Sequence, residues 1–163
     1  MDSSAAAGTE GATAVYVGLD YHAAFVQVCV LDGHGRQLVN RRCPNSVEGV
    51  AAAVTPGWVV AAAALESCCG AADLCAALRE HAGWPAVLAH PGYVARMKRS
   101  PDKSDFSDAK MLAELCRVGM VPTVHLPSTD TRDLRTLVRL RADLVKRVRA
   151  VKTRLLGLLR LHR

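Results

Sequence analysis

The spacing between apolar runs constrains this chain more than any other feature. "AVYVGLDYH", "AFVQVCVLD" and "RQLVNRRC" follow one another with gaps too short for a helical crossover, and the second gap carries the turn signal "DGHG" at Asp32–Gly35. Three such strands predict an antiparallel meander. From Asn45 the pattern changes. "NSVEGVAAAV" has helical spacing, with Asn45 as its expected cap and Glu48 three residues later in capping-box position. "WVVAAAAL" is a buried strand ending at Glu66, "GAADLCAALREHAG" is a helix closed by Gly83, and "WPAVLAH" is a strand stopped by Pro91. A basic loop follows. "FSDAKMLAELCRVG" is then a helix with Met111, Leu112, Leu115 and Val118 on one side, ended by Gly119.

The resulting order, β-β-β-α-β-α-β-α, joins a meander to two right-handed crossovers. It predicts an α/β fold of the ribonuclease H type, a mixed sheet with flanking helices. Residues 1–13, small and polar, read as a disordered tail, and residues 14–127 as the folded domain. Residues 128–163 read as a long basic helix. Positions 137, 141, 144, 148, 151, 155 and 158 follow a 3-4 spacing there and are apolar except for Arg141, which predicts a coiled-coil seam and pairing with a second copy.

Charge divides the chain in the same place. The net of +6 over 163 residues conceals eleven Lys or Arg against three Asp in residues 128–163, a local net of +8, and ten against twelve before it, a net of −2. A basic segment of that density predicts a polyanionic partner, with a solvated helix face as the plain alternative. The six cysteines, Cys29, Cys43, Cys68, Cys69, Cys75 and Cys116, include no CxxC pair, which argues against a zinc site. No signal peptide and no bilayer-length apolar run is present, so the expectation is an intracellular protein with reduced thiols and no membrane contact.

The acidic residues carry the chemical argument. Asp20 ends the first strand, Glu66 ends the fourth, and Asp105 and Asp108 open the helix after the fifth. In the predicted fold the first and fourth strands are central neighbours, and the last helix starts at the same end. Four carboxylates brought together would repel unless divalent cations held them. Mg²⁺ or Mn²⁺ suits oxygen donors, and a two-metal site can stabilise both the attacking and the leaving oxygen of a phosphodiester. Each acid has a local alternative. Asp20 fits a turn, and Asp105 with Asp108 fits a helix cap that also complements the dipole. Glu66 is harder to dismiss, because a strand end between apolar elements is a costly place for an acid. His22, two residues after Asp20, has a phosphate contact as one reading and a surface or core histidine as the plainer one, and the other histidines show no ligand spacing. No GxxxxGK[ST] or GxGxxG loop occurs.

"VGLDYH", "ALESCCG", "KSDFSDAKMLAEL" and "PSTDTRDLRTLVRLRADLVKRVRAVKTRL" resemble, in order and spacing, the N-terminal half of the DEDD-type insertion-sequence transposases, which include the Piv DNA invertases. The resemblance runs from about Val15 to the C-terminus. It implies a fold like the junction resolvase RuvC, with Asp20, Glu66, Asp105 and Asp108 holding divalent metal for DNA strand cleavage and exchange in a bacterial cytoplasm. It also implies DNA as partner, and in some members a structured guide RNA. Family members carry a further C-terminal domain with a nucleophilic serine, which has no counterpart in these residues, so the expectation is a truncated chain. Ala23 stands where a basic residue is usual, and Glu66-Ser67-Cys68-Cys69-Gly70-Ala71 departs from the family's Glu-Ala-Thr-Gly-Gly-Tyr.

Under this reading Arg96, Lys98, Arg99 and Lys103 in the basic loop, and Arg139, Lys152 and Arg154 on the helix, are the candidate nucleic-acid contacts. Three rival readings stay open: a non-catalytic remnant that binds nucleic acid or dimerises, a stand-alone junction resolvase, and a phosphate-transferring enzyme of the actin and sugar-kinase fold. The lack of glycine-rich phosphate turns counts against the last.

Overall fold

The structure, a computed structural model, describes residues 12–68, 70–97 and 104–161. The chain divides between Leu126 and Pro127 into two units. The first holds β1 (Thr13–Tyr21), β2 (Phe25–Asp32), β3 (Gln37–Pro44), α1 (Val47–Ala51), β4 (Trp58–Glu66), α2 (Ala71–His81), β5 (Ala86–Ala89), α3 (Pro91–Met97), α4 (Asp105–Arg117) and β6 (Thr123–Val124). The second holds α5 (Thr129–Leu161).

The six strands form one mixed sheet in the order β3-β2-β1-β4-β5-β6. β2 runs antiparallel to β1 and to β3, as the short connections require, while β1, β4 and β5 are parallel. This is the ribonuclease H-like architecture. β6, a two-residue edge strand antiparallel to β5, is additional to the expected set.

Alternation of side chains along the strands assigns the faces. Val15, Val17 and Leu19 of β1 and Ala63 and Leu65 of β4 pack with Leu74, Cys75 and Leu78 of α2. Tyr16 of β1 and Ala62 and Ala64 of β4 lie in the opposite layer, with Val94 of α3 and Leu112 and Cys116 of α4. Asp20 and Glu66 fall by the same alternation on the α4 face. They stand one residue past the Leu19–Leu65 register pair, at the carboxyl end of two central parallel strands.

Gly18 allows α4 to come this close. A Cβ there would collide with the backbone of α4, at the carbonyl oxygen of Ala109 and the amide nitrogen of Ala113. Ala109 and Ala113 are fully buried against Cys29 and Leu31 of β2. Small residues on both sides therefore set the height of α4 above the sheet. Burial pushes the thiols of Cys29 and Cys116 up to about 12, so both act as small apolar packing groups.

Three local expectations are corrected. The first part of the segment after β5, expected to be a loop, forms α3, because Pro91 occupies the first helical turn, where its missing N–H costs nothing; residues 98–103 of that loop lie outside the described residues. Helix α1 is capped by Ser46 rather than Asn45, with the Ser46 hydroxyl accepting from the Gly49 amide at 3.0 Å. Asn45 instead donates to the carbonyls of His22 and Ala23. Strand β1 also begins at Thr13, inside the segment read as tail, while residues 1–11 of that tail lie outside the described residues. No described helix is long and apolar enough to cross a membrane.

Candidate metal centre

At the carboxyl end of β1 and β4, a cleft of ≈ 400 Å³ is lined by Asp20, Tyr21, His22, Glu66, Cys68, Ser104, Asp105 and Asp108. All four sequence-predicted acids face it. They come from three elements separated by up to 88 positions in the chain, and the sheet order together with the packing of α4 against β1 and β4 brings them together.

Helix α4 delivers two of them. Its cap is Ser104, whose hydroxyl accepts from the Ser107 amide at 3.2 Å while the Ser107 hydroxyl accepts from the Ser104 amide at 3.3 Å. The capping box is built from serines, so neither aspartate caps the helix. Asp105 takes the first helical position and Asp108 the fourth, both in the turn where the helix dipole favours negative charge.

A polar ladder ties this turn to the sheet. Asp20, Gln27 and Arg42 lie abreast across β1, β2 and β3. Gln27, buried, donates from Nε2 to Asn40 Oδ1 at 2.7 Å, and Asn40 donates from Nδ2 to the Phe106 carbonyl at 3.1 Å. Arg42 Nη2 meets Asp105 Oδ2 at 3.1 Å and packs its guanidinium 4.3 Å from the centre of the Phe25 ring. Two further bonds thus set where Asp105 stands relative to Asp20.

Sequence reasoning missed His22. Its Nε2 lies 3.1 Å from Asp20 Oδ2 and 3.4 Å from Asp105 Oδ1. His22 is partly exposed, in keeping with the surface reading, and it also stands between two of the acids, a placement that reading leaves out. Its position two residues after Asp20 was the available signal, but only the hairpin turn decides that the ring folds back. Asp20, His22 and Asp105 each offer a donor atom, all within 4.8 Å of one another.

The electrostatics fit a cation. Burial raises the Asp20 carboxyl above its ordinary 3.8; the His22 hydrogen bond and charge oppose this, and the nearby Asp105 and Asp108 charges add to it. A positive ion in the cleft would relieve both causes of the rise. The oxygen-rich donor set, with one nitrogen, matches a hard or borderline divalent ion.

The predicted nucleic-acid contacts are placed in part. Arg96 lies on α3, with its guanidinium 5.8 Å from the Tyr93 ring. Lys98, Arg99 and Lys103 lie outside the described residues. Arg139, Lys152 and Arg154 are exposed on α5, in the second unit.

No curated protein sequence matches the chain. Residues 17–163 match a family described as transposase, the DEDD transposases of IS110 insertion sequences. The matched span begins within β1, three residues before Asp20, and takes in the whole cleft and α5. The chain belongs to this DEDD transposase family.

Proposed function

We propose that this chain is a metal-dependent catalytic domain acting in DNA strand cleavage and exchange for a mobile element. The observation that carries the proposal is the convergence of Asp20, Glu66, Asp105 and Asp108 on one cleft, in a chain of the transposase family. These four residues would hold Mg²⁺ or Mn²⁺, in a two-metal arrangement. Divalent cations in that position supply charge stabilisation to the attacking and leaving oxygens of a phosphodiester.

The remaining residues would hold the substrate. DNA is the natural partner of the family, and phosphate contacts from Arg96 and from the basic face of α5 would give affinity without sequence choice. The basic loop with Lys98, Arg99 and Lys103 joins this set as an expectation from sequence. A structured guide RNA would meet the same kinds of cationic residue. No residue of α5 is buried, and its apolar positions lie open along the helix, which supports association with a second copy through that helix.

The test is calorimetric titration of Mg²⁺ and Mn²⁺ into the wild-type chain and into Asp105→Asn, alongside cleavage of branched and linear DNA. Stoichiometric binding that Asp105→Asn abolishes is the expected result. Equal binding by both proteins would remove the metal-site reading. Salt-sensitive DNA binding that ignores all four acids, with no cleavage, would favour a non-catalytic nucleic-acid-binding chain instead.

A further inference from the structure

We propose that His22 supplies a nitrogen ligand to the divalent cation assigned above to Asp20 and Asp105, and that this mixed centre prefers Mn²⁺ to Mg²⁺. The inference rests on the metal-site reading of the cleft and adds to it a residue and an ion preference.

Geometry is the first argument. Adjacent ligands of an octahedral ion bound at about 2.1 Å stand about 3.0 Å apart. His22 Nε2 is 3.1 Å from Asp20 Oδ2 and 3.4 Å from Asp105 Oδ1. Both separations from the nitrogen are close to that spacing, and the three donor atoms all lie within 4.8 Å of one another, a span that one ion can bridge.

The second argument is that the imidazole is held in place by groups other than the carboxylates. Its ring stacks on Phe25, centroids 4.5 Å apart and planes 24° from parallel. The His22 amide donates to the Phe25 carbonyl at 3.0 Å, closing the turn between β1 and β2. The His22 carbonyl accepts from Asn45 at 3.1 Å. The two main-chain bonds fix the backbone at position 22, and the Phe25 stack fixes the plane of the ring. A ligand gains from this, because coordination rewards a donor whose orientation is already set.

Donor chemistry supplies the ion preference. Mg²⁺ takes hard oxygen ligands and gains little from an imidazole. First-row transition ions bind mixed nitrogen and oxygen sites, and Mn²⁺ is the member of that series that also suits carboxylates. The nitrogen at position 22 therefore adds affinity for Mn²⁺ that Mg²⁺ cannot use.

Mn²⁺ alone is the probe, added to the full 163-residue chain. Pulsed electron paramagnetic resonance reads ¹⁴N coupling to the bound ion in wild type, His22→Gln and His22→Asn, with circular dichroism to verify that the variants fold. The expected result is ¹⁴N modulation in wild type and its loss in both variants. With it, calorimetry should find Mn²⁺ affinity lowered about tenfold or more and Mg²⁺ affinity changed less than about twofold. Mn²⁺ that binds wild type with no ¹⁴N modulation, or with modulation that survives in the variants, overturns the inference and leaves the carboxylate site standing. Failure of wild type to bind Mn²⁺ at all, with Asp105→Asn indistinguishable from it, overturns both readings together.

Discussion

Arg42 and Asp105 meet across 63 residues of chain, Nη2 to Oδ2 at 3.1 Å, while the other oxygen of the same carboxylate faces His22 at 3.4 Å. One oxygen is thus turned to the β3 edge and the other into the cleft. The Arg42 side chain is 66 % exposed, so the pair resembles a surface salt bridge in energy, worth about 1 kcal/mol or less. Its larger effect is on the cleft, where a guanidinium beside Asp105 opposes a divalent cation. Arg42→Ala is expected to leave the melting temperature nearly unchanged and to tighten Mg²⁺ binding by about 1 kcal/mol, roughly fivefold. Calorimetric titration of the variant checks this. Weaker binding would mean that Arg42 positions Asp105 more than it repels the ion.

Gly18→Ala should be costly. The added methyl would meet backbone atoms of α4, which cannot rotate away as a side chain would. A loss of about 3 kcal/mol in urea unfolding is expected, at the upper end for overpacking. Because α4 carries Asp105 and Asp108, the same variant should bind Mg²⁺ more weakly at temperatures where it remains folded. A stability equal to wild type would contradict the close approach of α4 to β1.

Asp32 stabilises the turn after β2. Its Oδ1 accepts from the amides of His34 and Arg36, both at 2.9 Å, and its Oδ2 from Arg36 Nε at 3.1 Å. The Arg36 amide bond is the main cause holding its carboxyl below the ordinary 3.8, with the His34 amide and the Arg36 charge adding to it against burial. A depressed carboxyl contributes stability above its unfolded value, and that contribution disappears as pH falls through the lower folded value. Asp32→Asn should therefore lie below wild type in urea midpoint at neutral pH, and the gap should close on acidification below 3.8. A gap that stays constant with pH would show that the turn does not use the charge.

Helix α5 exposes Leu137, Leu144, Val148, Val151, Leu155 and Leu158 along one 3-4 repeat. Pairing would bury them, at about 1.5–3 kcal/mol for each fully covered aliphatic side chain. Wild type is expected to associate in sedimentation velocity, and Leu144→Lys with Val151→Lys to raise the dissociation constant by about tenfold or more. Unchanged sedimentation in the double variant would exclude this repeat as the contact.

Much of the architecture was legible because it is local. Short gaps between apolar runs require antiparallel neighbours, and longer helical gaps permit parallel ones, so the β-β-β-α-β-α-β-α order follows from chain connectivity. The less legible places are those where two local signals compete. Pro91 both stops a strand and starts a helix, and only the packing of Val94 against Ala89 and Leu112 shows that the helix forms. Asn45 and Ser46 are both good caps, and the β1–β2 turn claims Asn45.

The sequence by itself determined the order of the main elements (all but α3 and β6), the strand ends that carry Asp20 and Glu66, and the helix start that carries Asp105 and Asp108. Each depends on a periodicity or a turn within a few residues. Tertiary structure alone decided that these acids share a cleft with His22, that serines rather than aspartates cap α4, and that Arg42 reaches Asp105. Those relations depend on strand register and on the height of α4 above the sheet. A register shift of one residue would turn Gln27 and Arg42 to the opposite face and undo the ladder from Gln27 through Asn40 to Phe106. No local stretch of sequence contains that information, because it belongs to the pairing of segments far apart in the chain.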